Sequence, residues 1–217
     1  SEPQHFPAVD LDALLPLFER DELSDEGMVA FIRQCMLDPT APRPSIETLL
    51  HAFLPHKCVA HSHADAILSL TNSFRAEGTL GTLFGRNVAI IAYRRPGFLL
   101  AKEVAQAALN TPSPQAIILA NHGLVTWGTT AKQAYDVHVD LVSKCEQYIS
   151  DQSIGRTLFG SPTGNPIGPE KRRQIAATVG PTLRGLVGYR QRVILEFDDS
   201  PEVLSLVRAS GGRELSC

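Results

Sequence analysis

No uninterrupted apolar stretch in this chain is longer than the six residues from Val88 to Tyr93. A membrane-spanning helix needs about 20 such residues, so no membrane partner is expected. Cysteine is sparse: Cys35, Cys58, Cys145 and Cys217 are far apart and form no C-x-x-C pair. That excludes a disulfide framework or a structural zinc ribbon and reads as reduced thiols in a cytoplasmic protein. Blocks of like charge are also missing. The formal net charge is −3, from 20 basic and 23 acidic side chains, and nothing tracks a phosphate backbone, so nucleic acid is not an expected partner. G-x-G-x-x-G and G-x-S-x-G do not occur, which removes support for a dinucleotide site and for a serine nucleophile elbow. There is no charged segment leading into an apolar stretch at the N-terminus, as a signal peptide would require. Ser1 stands where an initiator methionine would, which reads as a chain trimmed from, or beginning inside, a longer protein.

What is present is ordinary globular material. Hydrophobic residues are 43% and charged residues 20% of 217, enough for one full core and one domain by default. Helical spacing covers 11–18, and acidic Asp25 and Glu26 suit the start of a second helix. Prolines in 38–44 mark a connector, after which Ser45 is expected to cap a third helix carrying Ile46, Leu49, Leu50, Phe53 and Leu54. Strands are expected at 57–63, 87–93, 115–121 and 124–127, and helices at 64–71, 98–109 and 131–149. Asn121-His122-Gly123 reads as a turn in which Gly123 takes the positive φ. A linker is expected over 154–169, then a helix from about Glu170, a strand over 192–197 and a helix opened by Ser200-Pro201. The domain reading is a core over 1–153, with 154–217 a linker and a helix–strand–helix extension of the same domain. Comparable weights of strand and helix point to a layered α/β or α+β domain with a mixed or antiparallel sheet.

The chemistry-bearing residues are histidines at strand ends. His61-Ser62-His63 places two imidazoles on one strand face, a bidentate clamp that a catalytic metal would complete with a third protein ligand. His122, in a tight turn after another buried strand, is the third candidate. On spacing alone this reads equally as a metal site or as a surface pair plus a turn histidine. Glu47 falls near the start of the third helix, where a carboxylate suits the helix dipole whether or not it has a function. His51 follows four residues later and reads as structural. His5, His56 and His138 show no convergent partners in the sequence, and Cys58 falls on the strand face opposite His61. Trp127, Tyr135 and Tyr148 read as packing residues.

Three segments carry a resemblance. Pro44-Ser45-Ile46-Glu47, then 59–66 (VAHSHADA), then 121–128 (NHGLVTWG) resemble, in order, the three active-site blocks of the class II aldolase/adducin family. The text between them is similar to the rhamnulose 1-phosphate aldolase part of bifunctional aldolase/short-chain dehydrogenase proteins, over about Phe6 to Val207. The resemblance implies a three-layer α/β/α sandwich with a mainly antiparallel sheet, and a homotetramer with sites at subunit interfaces. It implies His61, His63 and His122 as ligands of a divalent metal, usually Zn2+. Glu47 becomes the acid/base, able to approach the metal when substrate is absent and needing a partly desolvated carboxyl with a raised pKa. It also implies phosphate-holding loops upstream of Phe6 and, in the bifunctional members, a dehydrogenase domain downstream. The substrate implied is a small phosphorylated sugar. The implied activity is an aldehyde-lyase reaction cleaving a ketose 1-phosphate to dihydroxyacetone phosphate and an aldehyde by enediolate stabilisation. The rival readings are a metal-dependent sugar-phosphate epimerase or dehydratase, and a non-catalytic adducin-like assembly module.

Overall fold

Burial on both faces of one strand decides the architecture. The computed structural model describes residues 6–73, 75–85, 87–110, 116–156 and 162–209, and the chain divides into two units between Ser150 and Asp151. The first unit opens with helix α1 (Leu11–Leu14), a 3-10 turn (Leu15–Glu19), α2 (Asp25–Gln34) and α3 (Thr48–Phe53). Strand β1 (Cys58–Ser62), α4 (Asp65–Thr71), α5 (Ala76–Phe84), β2 (Val88–Ile91) and α6 (Phe98–Asn110) follow. The hairpin β3 (Ala116–Leu119) and β4 (Gly123–Gly128) leads into α7 (Ala131–Ser153).

The sheet order is β1-β4-β3-β2, with β2 and β3 parallel and the other two pairings antiparallel. All four residues of β3 are buried. Ile117 and Leu119 join a core with Val125, Trp127 and the apolar faces of α2, α3 and α6. Ala116 and Ile118 join a second core with Leu124, Ile67, Leu80, Leu141 and Cys145, from α4, α5 and α7. Because side chains alternate along a strand, two cores on one strand require a helical layer on each side of the sheet. The result is the three-layer α/β/α sandwich around a mainly antiparallel sheet.

Several local expectations are corrected. Ser45 does not cap the third helix, which begins at Thr48: the Ser45 hydroxyl accepts from the Glu47 N–H at 3.1 Å and closes a turn, which leaves Glu47 at the N-cap position itself. Helix α5 was not anticipated, because Gly78 and Gly81 dilute its helical pattern. In the hairpin turn the positive φ belongs to Asn121 (55°) and not to Gly123; asparagine tolerates this conformation better than most residues. Glycine is required at 123 for another reason. A Cβ there would lie 2.3 Å from the Ser62 carbonyl oxygen, 3.1 Å from His63 Cδ2 and 3.2 Å from His61 Cε1.

The second unit holds α8 (Pro169–Val187) and α9 (Pro201–Arg208). Pro169 opens α8, and the Ser200 hydroxyl caps α9 by accepting from the Val203 N–H at 3.4 Å. The Arg172 guanidinium donates from Nε and Nη2 to Asp199 Oδ2 at 3.1 and 2.8 Å. The strand expected over 192–197 does not form: no neighbouring strand is available among the described residues of this unit, and Arg184 Nε donates to the Val193 carbonyl instead. Of the expected linker, 157–161 lie outside the described residues, as do His5, Gln115 and Cys217.

Replacing Gly123 with alanine forces a methyl group against the β1 backbone. We expect Gly123→Ala to lower stability by about 1–3 kcal/mol in denaturant unfolding, the usual cost of overpacking. Wild-type stability in that variant would mean that β1 and β4 part without resistance.

Candidate metal centre

His61 pairs across to Val125 near the end of β1, and His63 follows directly after the strand. His61 Nδ1 is 3.0 Å from the Leu124 carbonyl oxygen. A carbonyl only accepts, so Nδ1 carries a proton and Nε2 is the nitrogen turned to the cluster. That Nε2 is 3.2 Å from Glu47 Oε1 and 3.1 Å from His63 Nε2. His122 is delivered from the opposite side by the β3–β4 turn, which is held by the Asn121 N–H donating to Thr71 Oγ1 at 3.2 Å. Its Nε2 is 3.0 Å from the same Glu47 oxygen, and His63 Nε2 is 3.5 Å from it.

The four atoms lie within 4.8 Å of one another. Lone pairs of neutral imidazoles and an ionised carboxylate repel at such distances unless positive charge sits among them. With bonds of about 2.0–2.1 Å, a tetrahedral site has ligand–ligand edges of about 3.3–3.4 Å. The contacts to Glu47 Oε1, at 3.0, 3.2 and 3.5 Å, bracket that value. Glu47, His61, His63 and His122 could therefore hold a divalent cation. The His61 and His122 side chains are only 5% and 6% exposed, against 55% for His63, so the cluster opens to solvent on the His63 side. A cleft of about 740 Å3, with Phe6, Val9, Leu11, Pro44 and His51 on its walls, also reaches Glu47 and His61.

Electrostatics correct one expectation. The Glu47 carboxyl is not raised: a hydrogen bond from the His61 imidazole holds it down at about 2, against burial, which pushes the other way. In this arrangement Glu47 is an ionised carboxylate turned to the imidazoles. Burial is the main cause that pushes His122 below the usual 6.5, partly opposed by its hydrogen bond to Glu47.

The remaining candidates separate cleanly. His51 lies on the cleft wall one helical turn beyond Glu47. His56 stacks on Trp127, with ring centroids 4.8 Å apart and planes within 6°. Cys58 pairs with Gly128 and, by alternation, stands on the sheet face opposite His61. His138, without visible partners in the sequence, has two: Ser62 Oγ at 2.6 Å and Thr126 Oγ1 at 2.9 Å. Those partners are 76 and 12 residues away, and no spacing rule connects them.

In this layered α/β domain the sheet edge and a hairpin turn converge three imidazoles on one carboxylate, a cluster that could hold a metal ion. The chain belongs to the class II aldolase and adducin family: the family's Class II Aldolase and Adducin N-terminal domain matches residues 4–149. It is 39% identical over 212 residues to a Bacillus subtilis (strain 168) protein named uncharacterized oxidoreductase YuxG, an alignment covering 98% of this chain and 31% of that protein. The chain thus spans about a third of the length of that relative. Among solved structures, the N-terminal class II aldolase domain of a conserved protein from Thermoplasma acidophilum is similar. The TM-score is 0.64 and the identity 42%, over 69% of this chain and 68% of that one. Membership of this family supports a lyase-type enzyme.

We expect one divalent cation per chain by metal analysis, lost when His61 and His63 are both replaced by alanine. Glu47, held down at about 2, stays ionised throughout the working range, so acid should act on the imidazoles. Each ligand imidazole must be neutral to bind, so cation affinity should fall as pH drops through about 6. Full stoichiometric metal in the double variant would remove the assignment.

Proposed function

We propose that this domain is a metal-dependent aldehyde-lyase, cleaving a ketose 1-phosphate of rhamnulose or fuculose type to dihydroxyacetone phosphate and an aldehyde. The observation that carries the reading is the convergence of Glu47 Oε1 with the three Nε2 atoms beside an open cleft. The ligands would be His61, His63 and His122, and the cation Zn2+, which suits imidazole donors. When bound, such a cation supplies Lewis-acid polarisation of a substrate carbonyl.

The chain's own contribution is proton traffic and orientation. Retro-aldol cleavage removes a proton from the C4 hydroxyl, breaks the C3–C4 bond and returns a proton to C3. Glu47, ionised and at the cluster, is the group able to hold that proton between the two positions. To do so it exchanges its contacts with the imidazoles for contacts with substrate, which frees it from the imidazole that holds its pKa low. His61 does not share this role, since its Nδ1 proton is committed to the Leu124 carbonyl.

The homotetramer and the cytoplasmic location belong to the same proposal. Among the described residues no helix is long and apolar enough to cross a membrane. Tyr135 and Val139, four residues apart on α7 and 65% and 42% exposed, offer apolar surface for a neighbouring subunit. An assembly module without catalysis would have no use for converging, uncompensated lone pairs.

The test is Glu47→Gln, which keeps size and hydrogen-bonding capacity but cannot take a proton. With the protein at its full natural length, release of dihydroxyacetone phosphate from a panel of ketose 1-phosphates should fall by about 10²–10⁴-fold, the usual worth of a positioned general base. Undiminished cleavage would leave the mechanism without its base.

A further inference from the structure

A second histidine network lies on the other face of the same strand. Ser62, between two of the clustered histidines, points away from them by alternation and meets His138 of α7. The polarity of the contacts follows from the acceptors. Thr126 Oγ1 is 3.0 Å from the Ala134 carbonyl oxygen, so its only proton is committed there. It must then accept at its other contact, and His138 Nδ1–H donates to it at 2.9 Å. His138 Nε2 is left as an acceptor, and the Ser62 hydroxyl donates to it at 2.6 Å. The chain of donors runs one way, from Ser62 through His138 to Thr126 and the α7 backbone. Burial holds the His138 pKa below its usual value, consistent with the neutral ring this polarity needs.

The position of this chain matters. β1 ends at Ser62, whose pairing with Leu124 is the last in the ladder. His63 therefore has no strand pairing of its own. Beside that last ladder pairing, the Ser62 side chain gives the backbone between His61 and His63 a second tie to rigid elements, anchored across the sheet on α7 and β4. Resting on the reading of the cluster as a cation site, we propose that His138 is a positioning residue: through Ser62 it holds the end of β1 so that His61 and His63 keep the spacing that binding requires.

The experiment compares wild type, His138→Leu, His138→Gln, Ser62→Ala and the His138→Leu/Ser62→Ala double variant for Zn2+ affinity by competition and for the visible spectrum of bound Co2+. Supporting partners of metal ligands are typically worth about 10–100-fold in affinity. That loss is expected for His138→Leu and for Ser62→Ala, with an altered Co2+ spectrum and unchanged far-ultraviolet circular dichroism. The double variant should lose no more than either single one, because both cut the same chain. His138→Gln, which again offers one donor and one acceptor, should recover most of the affinity. Ser62→Ala is a small change that keeps the test open if His138→Leu does not fold. Wild-type affinity and spectrum in Ser62→Ala, or losses in the double variant that sum those of two lossy single variants, would overturn the positioning role while leaving the cation site intact. No binding by wild type would overturn both.

Discussion

Three imidazole nitrogens and a carboxylate oxygen cannot share one small volume without positive charge among them, and much of the sandwich is arranged to bring them there. His61 is locked by the Leu124 carbonyl into the tautomer that aims Nε2 at Glu47. His122 arrives on a turn that only a left-handed Asn121 closes. Glu47 sits at an N-cap position with its own N–H donated to Ser45, and its side chain makes no capping hydrogen bond but faces the histidines. Three of the four clustered groups thus come from different local devices, and each device spends a hydrogen bond on orientation.

The sheet makes these devices mutually dependent. β1 and β4 approach closely only because Gly123 lacks a side chain, and that approach sets the distance between the β1 histidines and the turn carrying His122. On the opposite face, Ser62, His138 and Thr126 join the same two strands to α7. The cluster is thus braced on both sides of one strand pair: by the apolar core with Val125 and Trp127 on its own face, and by a directed polar chain on the other. Family membership places the fold on this chain and supports a lyase-type enzyme, whereas the oxidoreductase name belongs to a relative about three times its length.

The sheet strands were legible because short apolar runs between glycine, proline and histidine leave little choice of element, and the H-x-H pair was legible because a strand has a period of two. The convergence with His122 and Glu47 needed the family blocks, since three-dimensional closure over 75 residues leaves no local trace. Failures have physical causes. Helix α5 hides behind Gly78 and Gly81, whose cost in a helix masks a face that Leu80 fully buries. The apolar stretch at 192–197 has a strand's composition but, among the described residues, no strand beside it to bond with. Gly123 was singled out correctly as necessary, for the wrong reason: space, not torsion, demands it. His138 stayed invisible because its partners come from two strands on the far side of a sheet.

The single tryptophan of the chain occupies a telling place. Trp127 pairs with Val59, two residues before His61, lies 7% exposed, and stacks face to face on His56. Every photon of indole emission from this protein therefore originates in the strand pair that carries the cluster. An imidazole quencher is already in contact with the fluorophore, so the chain contains its own optical reporter of whether β1 and β4 are joined.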